Sequence, residues 1–238
     1  MPTAPNQLSD GRMRYVLCLL ALLWSVAADV PTDEERNTIM KLLTEIRGSV
    51  EPPASNMMFL DYSFQVESIV LKWITNCSYL PPLPEDLPSN VSDISVFNEG
   101  PKPTYEYVIT QLGKEKAFYD YDKDECTDYC FNYRQMVVAT ANKVGCAQMK
   151  CESRANQSSP TYLTACLFTP SKIDMVDRPY TKGESCSACP KGLVCYVNQC
   201  AKPSDIPTTT TTSTTSSSSM ISPVKVASLL ILLLCLIA

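Results

Sequence analysis

The chain has 238 residues, 12 cysteines and no histidine, with a formal net charge of −5. The missing imidazole excludes histidine acid–base catalysis, a Ser-His-Asp triad and a zinc site built on histidines. The acidic balance excludes a nucleic-acid partner, which needs a basic field to meet phosphates.

Residues 16–28 (VLCLLALLWSVAA) come after Arg12 and Arg14. A basic start, a short apolar run and small residues at Ala27 and Ala28 make residues 1–28 a secretory signal peptide, with Asp29 first in the mature chain. Met13 is an alternative start. The rival reading, a membrane anchor, is disfavoured because a spanning helix needs about 20 apolar residues. The spacing predicts a helix over residues 32–50. Thr32 and Glu35 form a capping box, and Ile39, Leu43, Ile46 and Val50 line one face before Pro52 and Pro53 end it. A second helix is expected over residues 63–76, with Val66, Val70 and Trp73 inward. Residues 81–88 are a proline-rich loop. Residues 105–119 read as a third, weaker helix, interrupted by Gly113. Residues 135–140 (QMVVAT), 144–149 (VGCAQM) and 162–168 (YLTACLF) are short, rich in β-formers and separated by turn signals, so they read as strands. Helices and then an antiparallel cluster imply an α+β layered domain.

Loss of both ends removes Cys18 and Cys235, and ten cysteines remain in a chain bound for an oxidising compartment. An even number there reads as disulfides, not as zinc ligands. Cysteine catalysis needs a free thiol, and all ten can pair. Asn76, Asn90 and Asn156 each open an Asn-x-Ser acceptor sequence for N-glycosylation. Asn76 is the weakest of them, because its neighbour is Cys77. The acidic run of Asp120, Asp122, Asp124, Glu125 and Asp128 resembles the start of a calcium loop. Glu125 stands where that loop needs glycine, and Phe131 where it needs glutamate, so the run reads as a solvated acidic turn.

Residues 201–219 form a Pro/Thr/Ser stalk, too polar to bury a core and suited to O-glycosylation. Residues 220–238 come next, ending in thirteen apolar residues (VASLLILLLCLIA). Small residues, a short spacer and an apolar tail form the attachment pattern for a glycosylphosphatidylinositol (GPI) anchor, with Ser216, Ser217 or Ser218 as the anchored residue. A spanning helix is the rival, but at 1.5 Å per residue the tail falls short of a roughly 30 Å hydrocarbon core.

Four pieces in order resemble one family. The first is Glu45-Ile-Arg47 with Pro52-Pro53-Ala54-Ser55-Asn56-Met57. The second is Trp73 to Cys77. The third is Cys130-Phe-Asn-Tyr-Arg-Gln-Met-Val-Val-Ala-Thr and then Lys143-Val-Gly-Cys-Ala147. The fourth is Pro179-Tyr180, Gly183 and Cys186-Ser-Ala-Cys189-Pro190, completed by Cys195 and Cys200. Together they resemble the CAP superfamily of cysteine-rich secretory, antigen 5, pathogenesis-related and venom allergen-like proteins. The resemblance implies an α-β-α sandwich around a small antiparallel sheet over residues 29–175, with a small disulfide-rich hinge module over residues 176–200. It also implies the pairs Cys77–Cys151, Cys146–Cys166, Cys126–Cys130, Cys186–Cys195 and Cys189–Cys200.

Most members of that family carry a cleft with two histidines and two glutamates, able to hold a divalent metal. Carried over by position, the histidines fall on Leu43 and Asn132, one glutamate on Glu115, and the other near residues 89–91, where no acidic residue aligns. The resemblance therefore implies a degenerate cleft without metal or other cofactor. Such a cleft points to a non-enzymatic binding protein, GPI-anchored on the extracellular face of the plasma membrane or secreted. Its expected partners are a lipid or sterol, or an extracellular protein. A structural surface antigen is one alternative, and a hydrolase using carboxylates around Glu115 is another.

Overall fold

The computed structural model describes residues 29–77, 90–151, 159–171 and 177–206. Helix α1 (Asp33–Gly48) begins at the capping box: the Thr32 hydroxyl accepts from the Glu35 amide, and the Glu35 carboxylate accepts from the Thr32 amide. Strand β1 (Asp61–Tyr62) leads to α2 (Phe64–Ile74), which Ser63 caps. Strand β2 (Ser92–Glu99) precedes α3 (Tyr105–Gly113), and a 3-10 turn (Lys114–Phe118) continues that helix. The two-residue strands β3 (Tyr119–Asp120) and β4 (Glu125–Cys126) bracket the acidic turn, and the short α4 (Phe131–Met136) comes after them. The long strands β5 (Lys143–Cys151) and β6 (Thr161–Thr169) and the hairpin β7 (Val194–Tyr196) and β8 (Gln199–Ala201) complete the order.

The main sheet runs β1-β5-β6-β2, with β1 parallel to β5 and the other pairs antiparallel. Strand alternation sorts its side chains into two cores. Val144, Cys146, Cys166 and Phe168 face α1 and α3, where Ile39, Leu43, Tyr105 and Ile109 pack together with Met136 of α4. Ala147, Met149, Leu163, Ala165 and Leu167 face α2 through Val66, Val70, Trp73 and Ile74. This is the α-β-α sandwich. Gly145 sets its tightest spacing: a Cβ there would lie 2.2 Å from the Glu67 amide nitrogen, so the helix backbone rests directly on the strand.

Residues 135–140 differ from expectation. Gln135 and Met136 end α4, and the residues after them turn. The reason is Arg47, fully buried on α1. It donates to the carbonyls of Met136 (2.8 Å), Val138 (2.9 Å), Met58 (2.8 Å) and Ala141 (3.0 Å). A guanidinium takes the place of a neighbouring strand as backbone partner. Burial pushes Arg47 down to about 9. The third helix also stops short of expectation, tightening after Gly113 into the 3-10 turn. Strand β2, which the sequence pattern does not predict, pairs along its whole length with β6.

The disulfides are Cys77–Cys151, Cys126–Cys130, Cys146–Cys166, Cys186–Cys195 and Cys189–Cys200. The C-terminal cysteine module is sewn to the sandwich by backbone hydrogen bonds. Cys200 donates to Met57 (2.7 Å) and accepts from Phe59 (3.0 Å), Ser55 donates to Thr181 (2.8 Å), and Ala139 donates to Pro179 (2.7 Å). Tyr180 stacks on Tyr121 with centroids 4.7 Å apart, and the Tyr121 hydroxyl donates to the Tyr180 carbonyl.

Candidate functional site

Glu115 sits in the 3-10 turn, facing the start of α4. That helix has Cys130 at its N-cap, which makes no side-chain hydrogen bond to the helix. Cysteine is a poor cap, and the first amides of a helix need acceptors. Glu115 supplies one from outside. Its Oε2 accepts from the Tyr133 amide (3.0 Å), and its Oε1 accepts from Asn132 Nδ2 (2.7 Å). Both oxygens are thereby engaged by neutral donors.

Leu43 lies elsewhere, without solvent exposure, in the core with Ile39, Leu60 and Met136. Of the three family cleft positions that the sequence singles out, the structure joins Glu115 and Asn132 by a hydrogen bond and packs Leu43 as core. Near the fourth position the structure places an acidic residue that the sequence pattern does not single out. Asp93, half-buried in β2, has its carboxyl pushed up by burial. The Tyr129 phenol is pushed up by partial burial, and after it by the Glu115 and Asp93 carboxylates. Ile94 and Val96 alternating with Asp93 and Ser95 are the one trace of this strand in the sequence, too short to be read as a strand alone.

Between the Cys126–Cys130 loop and α4 lies a cavity of about 230 Å³, lined by Cys126, Asp128, Tyr129, Cys130, Phe131, Arg134 and Gln135. The acidic turn next to it is divided among separate cations. Asp120 pairs with Lys123 (2.9 Å), Asp122 with Lys182 (2.7 Å) and Asp124 with Arg134 (3.2 Å). Among the described residues no group of three acidic or cysteine side chains converges as a metal site.

Of the glycosylation candidates, Asn76 is exposed at the end of α2, beside the bridged Cys77. Asn90 is exposed with φ 72°, while the hydroxyl of Ser92 in the same acceptor sequence is buried without a partner. Asn156, the anchor candidates Ser216, Ser217 and Ser218, the signal peptide, most of the stalk and the apolar tail lie outside the described residues. Among the described residues no helix is long and apolar enough to cross a membrane.

Comparison with known proteins places this architecture. The family model "CAP: Cysteine-rich secretory protein family" matches residues 34–168. GLIPR1-like protein 1 of Homo sapiens is 28% identical over 196 residues, which are 79% of this chain and 79% of that protein. Peptidase inhibitor 15 of Xenopus laevis is 31% identical over 184 residues, 68% of each chain. Among solved structures, the hookworm platelet inhibitor aligns with a TM-score of 0.57 at 18% identity, over 75% of this chain and 97% of that one. Na-ASP-1 aligns with a TM-score of 0.56 at 20% identity over 84% of this chain, which spans about half (52%) of that molecule. At these identities the structural likeness speaks for the fold alone.

Proposed function

The chain belongs to the cysteine-rich secretory protein (CAP) family, and on that premise we propose that it is a non-enzymatic binding protein displayed on the outer face of the plasma membrane. The observation that carries this reading is the use made of Glu115. Its two oxygens accept from Asn132 and from the Tyr133 amide, which caps α4. An amide side chain neither takes nor gives a proton, so Asn132 supplies no acid–base partner to that carboxylate. The former cleft has become a helix cap with a small cavity beside it. All ten cysteines of the described residues are bridged, so these offer no nucleophilic thiol. The signal peptide, polar stalk and apolar tail support display through a GPI anchor, with the domain held away from the lipid surface. The cargo is a lipid or an extracellular protein.

Native mass spectrometry of the mature protein tests the reading. A bound lipid or a captured protein, with no metal, supports it. A stoichiometric metal ion overturns the reading of Leu43 and Asn132 and reopens the enzyme case. A phosphatidylinositol-specific lipase should release the protein from intact cells. Retention after full digestion would replace the lipid anchor by a spanning helix.

A further inference from the structure

We propose that the cavity beside the Cys126–Cys130 loop is a binding site for a quaternary ammonium group of the choline class. The inference rests on the binding-module reading and names the chemistry of its ligand.

The walls are the first argument. Tyr129 is 61% exposed and Phe131 is 36% exposed, although both are large aromatic side chains. Their ring centroids lie 6.5 Å apart with the planes tilted by 49°, and both line the cavity. Two rings held at an angle at the mouth of a cavity offer electron-rich faces to a cation, the arrangement that recognises quaternary ammonium groups. The rings are held in advance. Cys126 and Cys130 close a loop of sequence separation 4 that carries Asp128 and Tyr129, and Phe131 begins α4. A ring already ordered loses little freedom on binding.

Charge is the second argument. Asp128 lines the cavity, and its Oδ1 accepts from the Tyr129 amide (2.7 Å). Among the described residues no cation pairs with it. Glu115 accepts from neutral donors, and among the described residues no cation pairs with it either. Partial burial, and after it the Glu115 and Asp93 carboxylates, push the Tyr129 phenol up, in keeping with negative charge near that ring. The cation of the lining, Arg134, is already engaged. Its guanidinium pairs with Asp124 at 3.2 Å, donates to the Asp177 carbonyl at 3.1 Å and lies 5.3 Å from the centre of the Tyr119 ring. The field at the mouth therefore favours a cation and repels an anion.

Size and donor type narrow the cation. About 230 Å³ is below the roughly 300–1,000 Å³ of pockets that enclose a drug-sized ligand, so the cavity suits a head group rather than a whole sterol. A hard metal ion needs six or more converging oxygens, and the lining brings one carboxylate with two aromatic rings. A methylated ammonium, bulky and weakly hydrated, matches rings plus a carboxylate.

The test is titration of the purified mature protein with choline chloride, monitored through the ring resonances of Tyr129 and Phe131. Saturable shifts with a dissociation constant on the order of 1 mM or tighter are expected. The neutral isostere 3,3-dimethylbutanol has the same shape without the charge, and it should bind at least tenfold more weakly. Tyr129→Ala and Asp128→Asn should each weaken choline about three- to tenfold. Both positions are exposed, so a native circular dichroism spectrum will verify that the fold is kept. A second arm compares vesicles of phosphatidylcholine with vesicles of phosphatidylglycerol. Preferential capture of the former identifies a lipid head group as the source, and choline binding without vesicle capture identifies a small soluble ligand. A flat choline titration, or equal binding of the isostere, overturns the inference. Mass spectrometry that still finds some other cargo then leaves the binding-module reading standing.

Discussion

Glu67 and Glu115 are both carboxylates enclosed by donors, and they sit in different regions of the molecule. Glu67, buried on α2, accepts from Arg36 Nε (2.9 Å) and Nη2 (3.0 Å) and from the Tyr62 hydroxyl (2.6 Å). Arg36 in turn stacks on Phe64, with its guanidinium carbon 4.7 Å from the ring centre. That region is electrically closed, because each charge has its opposite within hydrogen-bond reach. Glu115 is held by an amide side chain and a backbone amide. Its geometry is satisfied, but among the described residues its charge meets no opposite one. The difference separates a carboxylate that joins two helices from one that leaves a field at the surface, where a ligand can use it.

Breaking the closed region should have the largest effect. Glu67→Ala leaves Arg36 and Tyr62 without their shared acceptor in a part-buried site. Removal of one partner of a buried pair costs about 3–5 kcal/mol. Chemical denaturation should therefore show a lower midpoint at unchanged slope. An unshifted midpoint would mean that Arg36 finds Asp33, already 2.9 Å away, as a sufficient partner.

Alkaline pH tests the same contrast through Tyr62. Burial, and after it the hydrogen bond to Glu67, pushes this phenol well above its ordinary value. A raised folded value means stability fully present below the unfolded value of about 10 and lost as pH rises above it. The wild type should lose about 1.4 kcal/mol per pH unit more than Tyr62→Phe in that window. Parallel curves for the two proteins would show that the phenol ionises in the fold as it does outside.

The two regions also differ in how far the sequence discloses them. The Thr32–Glu35 capping box is local, four consecutive residues with one physical meaning, and the helix starts there. The three apolar positions expected on the second helix, Val66, Val70 and Trp73, are buried where their spacing puts them. Residues 135–140 look like a strand because three of them are β-branched, but the partner that decides their backbone, Arg47, comes from 89 residues away. Glu115 and Asn132 are legible one by one as cleft positions, yet their hydrogen bond spans 17 residues and depends on how the 3-10 turn meets α4. Asp93 is hidden for another reason. It lies in a half-polar edge strand whose pairing with β6 no local signal announces. Leu43 is the opposite case: its place in the apolar row of α1 already identifies it as core.

The smallest effect belongs to Glu115, and it decides whether that carboxylate is a cap or something more. Loss of a capping acceptor costs about 0.5–2 kcal/mol, typically ~1. Glu115→Ala should lower stability by about that amount, because among the described residues the carboxylate has no ion-pair partner to strand. The side-chain amide of Asn132 and the backbone amide of Tyr133 should then exchange faster with solvent, while the backbone amides of β5 and β6 stay protected, since local opening at a helix end does not require the sheet to open. Glu115→Gln separates the two roles. One amide oxygen remains to accept from the Tyr133 nitrogen, so the cap and most of the stability survive, while the field at Tyr129 falls. A loss several times larger than a cap is worth would place Glu115 with Glu67, as a residue the fold cannot spare. Unchanged exchange at Asn132 and Tyr133 would mean that α4 finds its first acceptor in water, and that the hydrogen bonds to Glu115 result from the fold rather than hold it.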